Sequence, residues 1–184
     1  MKYSVSRKEA TIGAAEFVER YRDVERIREY CMQCPGYGTS WACPPFDFDP
    51  TTLTEGFKDV TLMGTVITFD EDTRQACKTP EQAIAVGKQA MAEVWQTLLP
   101  HMHELEREIP GSRCFTFRCT LCPEGCTRPE GLPCRHPQQL RYSLEAVGFD
   151  ISAAAADLLD IKLEWSGDGS LNKTITLLTA VFRP

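Results

Sequence analysis

No apolar run in this sequence approaches the length of a transmembrane helix. The opening residues, Met1-Lys2-Tyr3-Ser4-Val5, lack the apolar core of a signal peptide. Together these absences set the expectation of a cytoplasmic protein with no membrane partner. Positive charge is in deficit: 20 Lys and Arg against 26 Asp and Glu leave a net charge of −6. That argues against a nucleic-acid partner, which needs a broad basic face. Glycine-rich phosphate loop, nucleophile elbow and zinc-protease helix motif are all missing. Nothing encodes a flavin or nicotinamide fold, so such a cofactor would belong to a partner. Repeats, linkers and low-complexity stretches are also lacking.

What the sequence has is cysteine. Nine occur in 184 residues, and seven of them fall into two groups interspersed with proline. The first group is Cys31-Met-Gln-Cys34-Pro-Gly-Tyr-Gly-Thr-Ser-Trp-Ala-Cys43-Pro-Pro. The second is Cys119-Thr-Leu-Cys122-Pro-Glu-Gly-Cys126, followed by Cys134-Arg-His-Pro. Disulfides suit small secreted scaffolds that lack a core. Here 42% hydrophobic residues supply a core, no secretion signal is visible, and the count is odd. Thiolates gathered by short turns instead meet the needs of a soft metal or an iron–sulfur cluster.

The second group, spaced Cys119-x2-Cys122-x3-Cys126-x7-Cys134, offers four thiolates that can wrap a 4Fe–4S cubane. Gly125 and Gly131 would let backbone amides approach cluster sulfides, and Arg118, Arg128 and Arg135 would offset its charge. Zinc is the competing cofactor, although a structural zinc site favours two short chelating pairs. The first group, Cys31-x2-Cys34-x8-Cys43, supplies only three thiolates. Its fourth ligand comes from Cys77, Cys114 or a distant side chain; or one iron stays open to substrate; or the two groups share metals. A zinc site from Cys31, Cys34, Cys119 and Cys122 would strand the other three thiols. Tyr30, Tyr37 and Trp41 read as cover that excludes water from the first group. Arg26 and Arg28 read as a solvated helix face, or as neighbours of a cluster or bound anion. Cys77 and Cys114 stand apart and read as buried apolar residues, with Cys114 a reserve ligand. His101 and His103, two apart on a helix, would point to different faces and are discounted as ligands. His136 reads as a surface or hydrogen-bonding residue.

The pattern predicts a helix over 9–30, with Phe17, Tyr21, Val24 and Ile27 as its core stripe. A loop follows to Pro50, then a strand over Val60 to Phe69. Thr79-Pro80 should cap a long helix with Ile84, Met91, Val94, Trp95, Leu98, Met102 and Leu105 buried, and Pro100 should kink or split it. A strand over Cys114 to Phe117 leads into the second cysteine loop. Gln138 to Val147 reads as helix with Gly148 as its cap, and Ser152 as the cap of a helix over Ala153 to Asp160. Ile161 to Trp165 and Thr174 to Phe182 read as a hairpin around Gly167-Asp168-Gly169. The expected fold is α+β: residues 1–184 as a single metal-binding domain. It has a small, mainly antiparallel sheet with helices packed on one face, and Cys-rich loops at about 31–50 and 114–137.

The two cysteine strings, with Tyr142-Ser-Leu-Glu-Ala-Val-Gly-Phe-Asp-Ile151, resemble a family of predicted metal-binding, cysteine-rich prokaryotic proteins. The similarity runs from about Arg26 to the C-terminal strand. It implies metal binding in bacteria or archaea of anaerobic habit, and no particular reaction. Members of that family often carry a cysteine where Val147 stands, so that position is not a required ligand in this chain.

The leading functional reading is a 4Fe–4S protein that transfers electrons, or acts as an adaptor, for an unidentified redox partner. Cys119, Cys122, Cys126 and Cys134 hold its cluster, and Cys31, Cys34 and Cys43 form a second metal site. One alternative is an enzyme whose three-cysteine cluster binds a small substrate at an open iron. The other is a zinc-stabilised interaction module.

Overall fold

Strand β2 (Asp59–Phe69) is apolar at both parities, so it cannot lie with one face in water. Val60, Leu62 and Val66 enter one core, while Ile67 and Phe69 enter another. Strand β4 (Thr174–Arg183) is built the same way, with Leu178, Ala180 and Phe182 on one face and Ile175, Leu177 and Val181 on the other. The computed structural model describes residues 1–165 and 169–184. In it these two strands pair antiparallel, Leu62 opposite Ala180 and Val60 opposite Phe182. Strand β1 (Tyr3–Gly13) flanks β2, and β3 (Arg113–Phe115) flanks β4, giving the antiparallel order β1-β2-β4-β3.

Five α-helices accompany the sheet among the described residues. Helices α1 (Ala14–Tyr21) and α5 (Ile151–Leu159) cover one face. Their core is aromatic: Phe17 lies 5.0 Å from Phe149 and Phe115 lies 5.2 Å from Phe182, ring centre to ring centre. Each such buried ring is worth about 1.5–3 kcal/mol of burial. Helix α4 (Pro80–Glu108) covers the opposite face through Ala83, Ala90, Val94, Trp95, Leu98 and Met102. Helix α2 (Val24–Met32) continues from α1 after a break, and α3 (Glu71–Ala76) is a short turn after β2.

The α+β class and the antiparallel sheet agree with the sequence reading; the one-sided packing does not. Helices lie on both faces because both central strands are apolar on both faces. The predicted helix over 9–30 is three elements. Residues up to Gly13 form edge strand β1, and Asp23 starts α2 by accepting the Arg26 amide at 3.1 Å. Pro100 lies within a continuous α4. The carbonyl it deprives of a partner belongs to exposed Gln96, where water can serve. Ile84 is exposed, and Ala83, Gly87 and Ala90 take the inward positions instead.

Between Gln138 and Val147 only Glu145–Val147 forms a 3-10 turn. The Tyr142 carbonyl is taken by the Thr116 amide at 2.8 Å and the Arg141 guanidinium by Glu106, so tertiary contacts override the helical pattern. The cap of α5 is Asp150, not Ser152. Ile161 to Trp165 form no strand: the Asn172 side-chain amide donates to the Glu164 carbonyl at 3.0 Å and the Thr174 amide donates to the Glu164 carboxylate at 3.2 Å, side-chain bonds in place of a backbone ladder. The expected turn at Gly167-Asp168 lies outside the described residues.

Candidate metal centre

Helix α2 delivers Cys31 in its last turn, and the chain then folds back through consecutive tight turns. The Cys34 amide donates to the Cys31 carbonyl at 3.0 Å, Tyr37 to Cys34 at 3.0 Å, and Cys43 to Ser40 at 3.0 Å. Gly38, at φ +69°, donates to the Pro44 carbonyl at 2.8 Å and closes the loop. A Cβ on Gly36 would lie 3.6 Å from the Cys34 sulfur and 3.8 Å from that of Cys43, so both thiols gather about this glycine.

The second loop leaves β3 and turns at Gly125 (φ +102°), whose amide donates to the Cys122 carbonyl at 3.1 Å. A 3-10 turn over Arg128–Glu130 follows, and the Thr127 hydroxyl donates to Pro133 O at 2.8 Å. Cys134 is thereby brought back toward the other thiols.

The two loops are pinned to each other. The Trp41 amide points at the Cys126 sulfur, 3.4 Å away, and the indole N–H donates to Leu132 O at 3.0 Å. From the other side Arg128 reaches the first loop. Its guanidinium donates to the carbonyls of Ser40, Cys43 and Pro45 and stacks over Trp41, 5.2 Å from the ring centre. Beyond the cysteines, Phe46 and Phe48 pack edge-on against Tyr142 at 5.3 and 5.9 Å. Trp41 was expected as a cover, and Arg128 as a charge offset. They are the cross-links of the site, a role only tertiary structure reveals.

Electrostatics divides the thiols as the sequence does. Burial pushes the Cys31 thiol up to about 11, with further contributions from Glu145, Cys43 and Cys34. Burial also raises Cys43, which feels Cys34 and, more weakly, Cys119. Burial raises Cys119, which feels Cys134, Cys122 and Cys126. Cys119 and Cys43 therefore mark where the two groups meet. Arg135 lies beside a thiol: a hydrogen bond to Cys122 is the main reason its guanidinium is raised, and it pairs with Glu124 at 3.0 Å. Arg118 instead lies over the Phe117 ring, and Arg26 pairs with Asp150 and Asp23. Arg28 lines a small cavity beside Cys31.

The two outlying cysteines are elsewhere. Cys114 is buried against Met102 and Val181 on the α4 face, its thiol donating to Met102 O at 3.2 Å. Cys77 ends α3 and donates to Thr73 O at 3.5 Å. Neither can complete the three-cysteine group. All nine cysteines are free thiols.

A family model of predicted metal-binding proteins, DUF2284, matches residues 18–182. The chain belongs to this family. No curated protein matches it, and no solved structure does. Read as a DUF2284 protein, the chain offers sulfur donors in number and chemistry that suit a soft metal. Backbone amides point at three of the sulfurs: Gly36 to Cys34, Trp41 to Cys126 and His136 to Cys134, each at 3.4 Å. Such donors orient thiolates and stabilise their charge. Among the described residues, no three His, Cys, Asp or Glu side chains yet converge closely enough to hold a single ion. Four thiolates on one zinc, at about 2.3 Å each, would need sulfurs roughly 3.8 Å apart.

Proposed function

We propose that this protein holds 4Fe–4S clusters across its two loops and passes electrons to a redox protein partner. The observation that carries the reading is the arrangement of seven thiols as four and three, on loops pinned to each other and supplied with amide donors. A cubane spreads its thiolates over four irons, which suits sulfurs gathered by turns but not drawn onto one point. When bound, such a cluster supplies reversible one-electron transfer.

The chain's own residues set the conditions. Trp41 and Tyr142 exclude water from the loop junction, and amide donors favour the more negative state. Cys34 is the exposed cysteine and marks the side from which a partner approaches. A compartment that keeps thiols reduced suits these ligands.

The test is iron, acid-labile sulfide and zinc per chain, on protein purified without oxygen or chelator. About four irons with equal sulfide indicate one cubane, and about eight indicate two. A reversible redox titration then supports electron transfer. Stoichiometric zinc without sulfide sinks the proposal.

A further inference from the structure

The first cysteine group is one ligand short, and both outlying cysteines are engaged elsewhere. A carboxyl stands nearby. Glu145 opens the 3-10 turn Glu145–Val147, which packs on α2. The two segments are sewn together at both ends. The Asp23 amide donates to Gly148 O at 2.8 Å, and the Cys31 thiol lies 3.9 Å from the Glu145 carbonyl. Glu145 therefore faces the last turn of α2, where Cys31 sits.

Two cavities adjoin Cys31, and Glu145 lines both. One, of about 130 Å³, also contains Arg28, Tyr37 and Pro44. The other, of about 590 Å³, also contains Cys34, Tyr30 and Trp165. Among the described residues no basic side chain lies within ion-pair distance of Glu145. Its polar partners are neutral, the Ser143 hydroxyl and its own backbone amide, so a cation would be its first charged partner. Its charge acts on Cys31 more strongly than the Cys43 or Cys34 thiol does, which places the carboxyl close to the Cys31 sulfur.

We infer that the Glu145 carboxylate is the fourth protein ligand of the Cys31, Cys34 and Cys43 site. The inference rests on the cluster reading above. The carboxylate would then hold one iron through oxygen, and the thiolates of Cys31, Cys34 and Cys43 would hold the others. Oxygen is the harder donor, so that iron is the one that leaves first.

Two variants test this. Glu145→Gln keeps the shape and removes the anion; Glu145→Cys replaces oxygen with sulfur. Both, with the wild type, are purified without oxygen, analysed for iron and sulfide, and oxidised by one electron with ferricyanide. A cubane iron without a protein ligand leaves as ferrous ion, and the three-iron core left behind is paramagnetic. The expected result is a three-iron signal and loss of about one iron per chain in Glu145→Gln. Glu145→Cys keeps its iron, and the wild type, with one iron on oxygen, loses iron more slowly than Glu145→Gln does. The cluster on the second loop serves as a check on folding. Identical iron content and spectra in Glu145→Gln and wild type would overturn the assignment and leave the cluster reading standing. Failure of Glu145→Cys to restore what Glu145→Gln loses would also overturn it, because Glu145 would then act through packing. Zinc without sulfide in the wild type overturns the cluster reading itself, and the assignment with it.

Discussion

The Arg128 guanidinium donates to the Ser40 carbonyl at 2.7 Å, across 88 residues of sequence. The same group reaches the carbonyls of Cys43 and Pro45, so one planar cation holds the far arm of the first loop. Arg128→Ala should weaken metal binding by roughly 10–100-fold, the usual cost of losing an outer-shell partner. Arg128→Lys should not restore it, because a compact ammonium cannot span several carbonyls as a rigid fork does. Competition with a chelator measures the loss. Wild-type affinity in Arg128→Lys would show that charge alone suffices.

Gly148 has φ +92°, and a Cβ there would sit 2.7 Å from Val24 Cγ2 and 2.9 Å from Val24 Cα. Gly148→Ala should destabilise the protein by roughly 2–4 kcal/mol through backbone strain and the clash. The clash also parts the 145–148 segment from α2. Metal at Cys31, Cys34 and Cys43 should therefore fall before metal on the second loop. Thermal unfolding and metal content, measured on the same sample, check both effects.

Cys114 gives a pH signature independent of metal. Burial pushes its thiol up to about 12 from an ordinary value of 9.0. Between those two values the unfolded chain has lost this proton and the folded chain keeps it, so stability falls as pH rises through the window. Below pH 9 the contribution is fully present. Cys114→Ala removes it, so the stability gap between wild type and variant should narrow by on the order of 2 kcal/mol towards the top of the window. Urea midpoints of both proteins across that range, with reductant present, check it. The metal content of Cys114→Ala should equal that of wild type.

Removing metal should leave the sheet intact. None of the seven grouped cysteines belongs to the three buried clusters that join the helices to the sheet. Far-ultraviolet circular dichroism should change little after chelation. Amide exchange should accelerate within 33–49 and 116–143, where turns and cross-links replace regular structure. Global unfolding on chelation would mean that metal, rather than the sheet, organises the chain.

The sequence made the chemistry legible sooner than the geometry. Cysteine spacing and the proline and glycine between the thiols marked both loops, and the Thr79-Pro80 start of α4 is a capping box completed by Gln82. Strand β1 was hidden because most of its residues are exposed on this edge, so no apolar alternation announced it. Pattern alone also continued one helix across Arg22 and Asp23, although Asp23 is an ordinary cap. Arg128 and Glu145 could not be placed from sequence, because each acts on a loop at least 80 residues away. Only the stretch around Glu145, read earlier as a point of resemblance, hinted that it mattered.

Strand β4 occupies the middle of the sheet and follows both cysteine loops in the chain. During translation both sets of thiols leave the ribosome before the strand that completes the sheet has been made. Folding with such distant partners is slow compared with local turn formation. The newborn chain therefore passes through an interval in which its ligands exist but their frame does not. Any metal met in that interval meets loose thiols rather than a site. Correct loading belongs after the sheet has closed, when Arg128 and Trp41 have fixed how far apart the two loops stand.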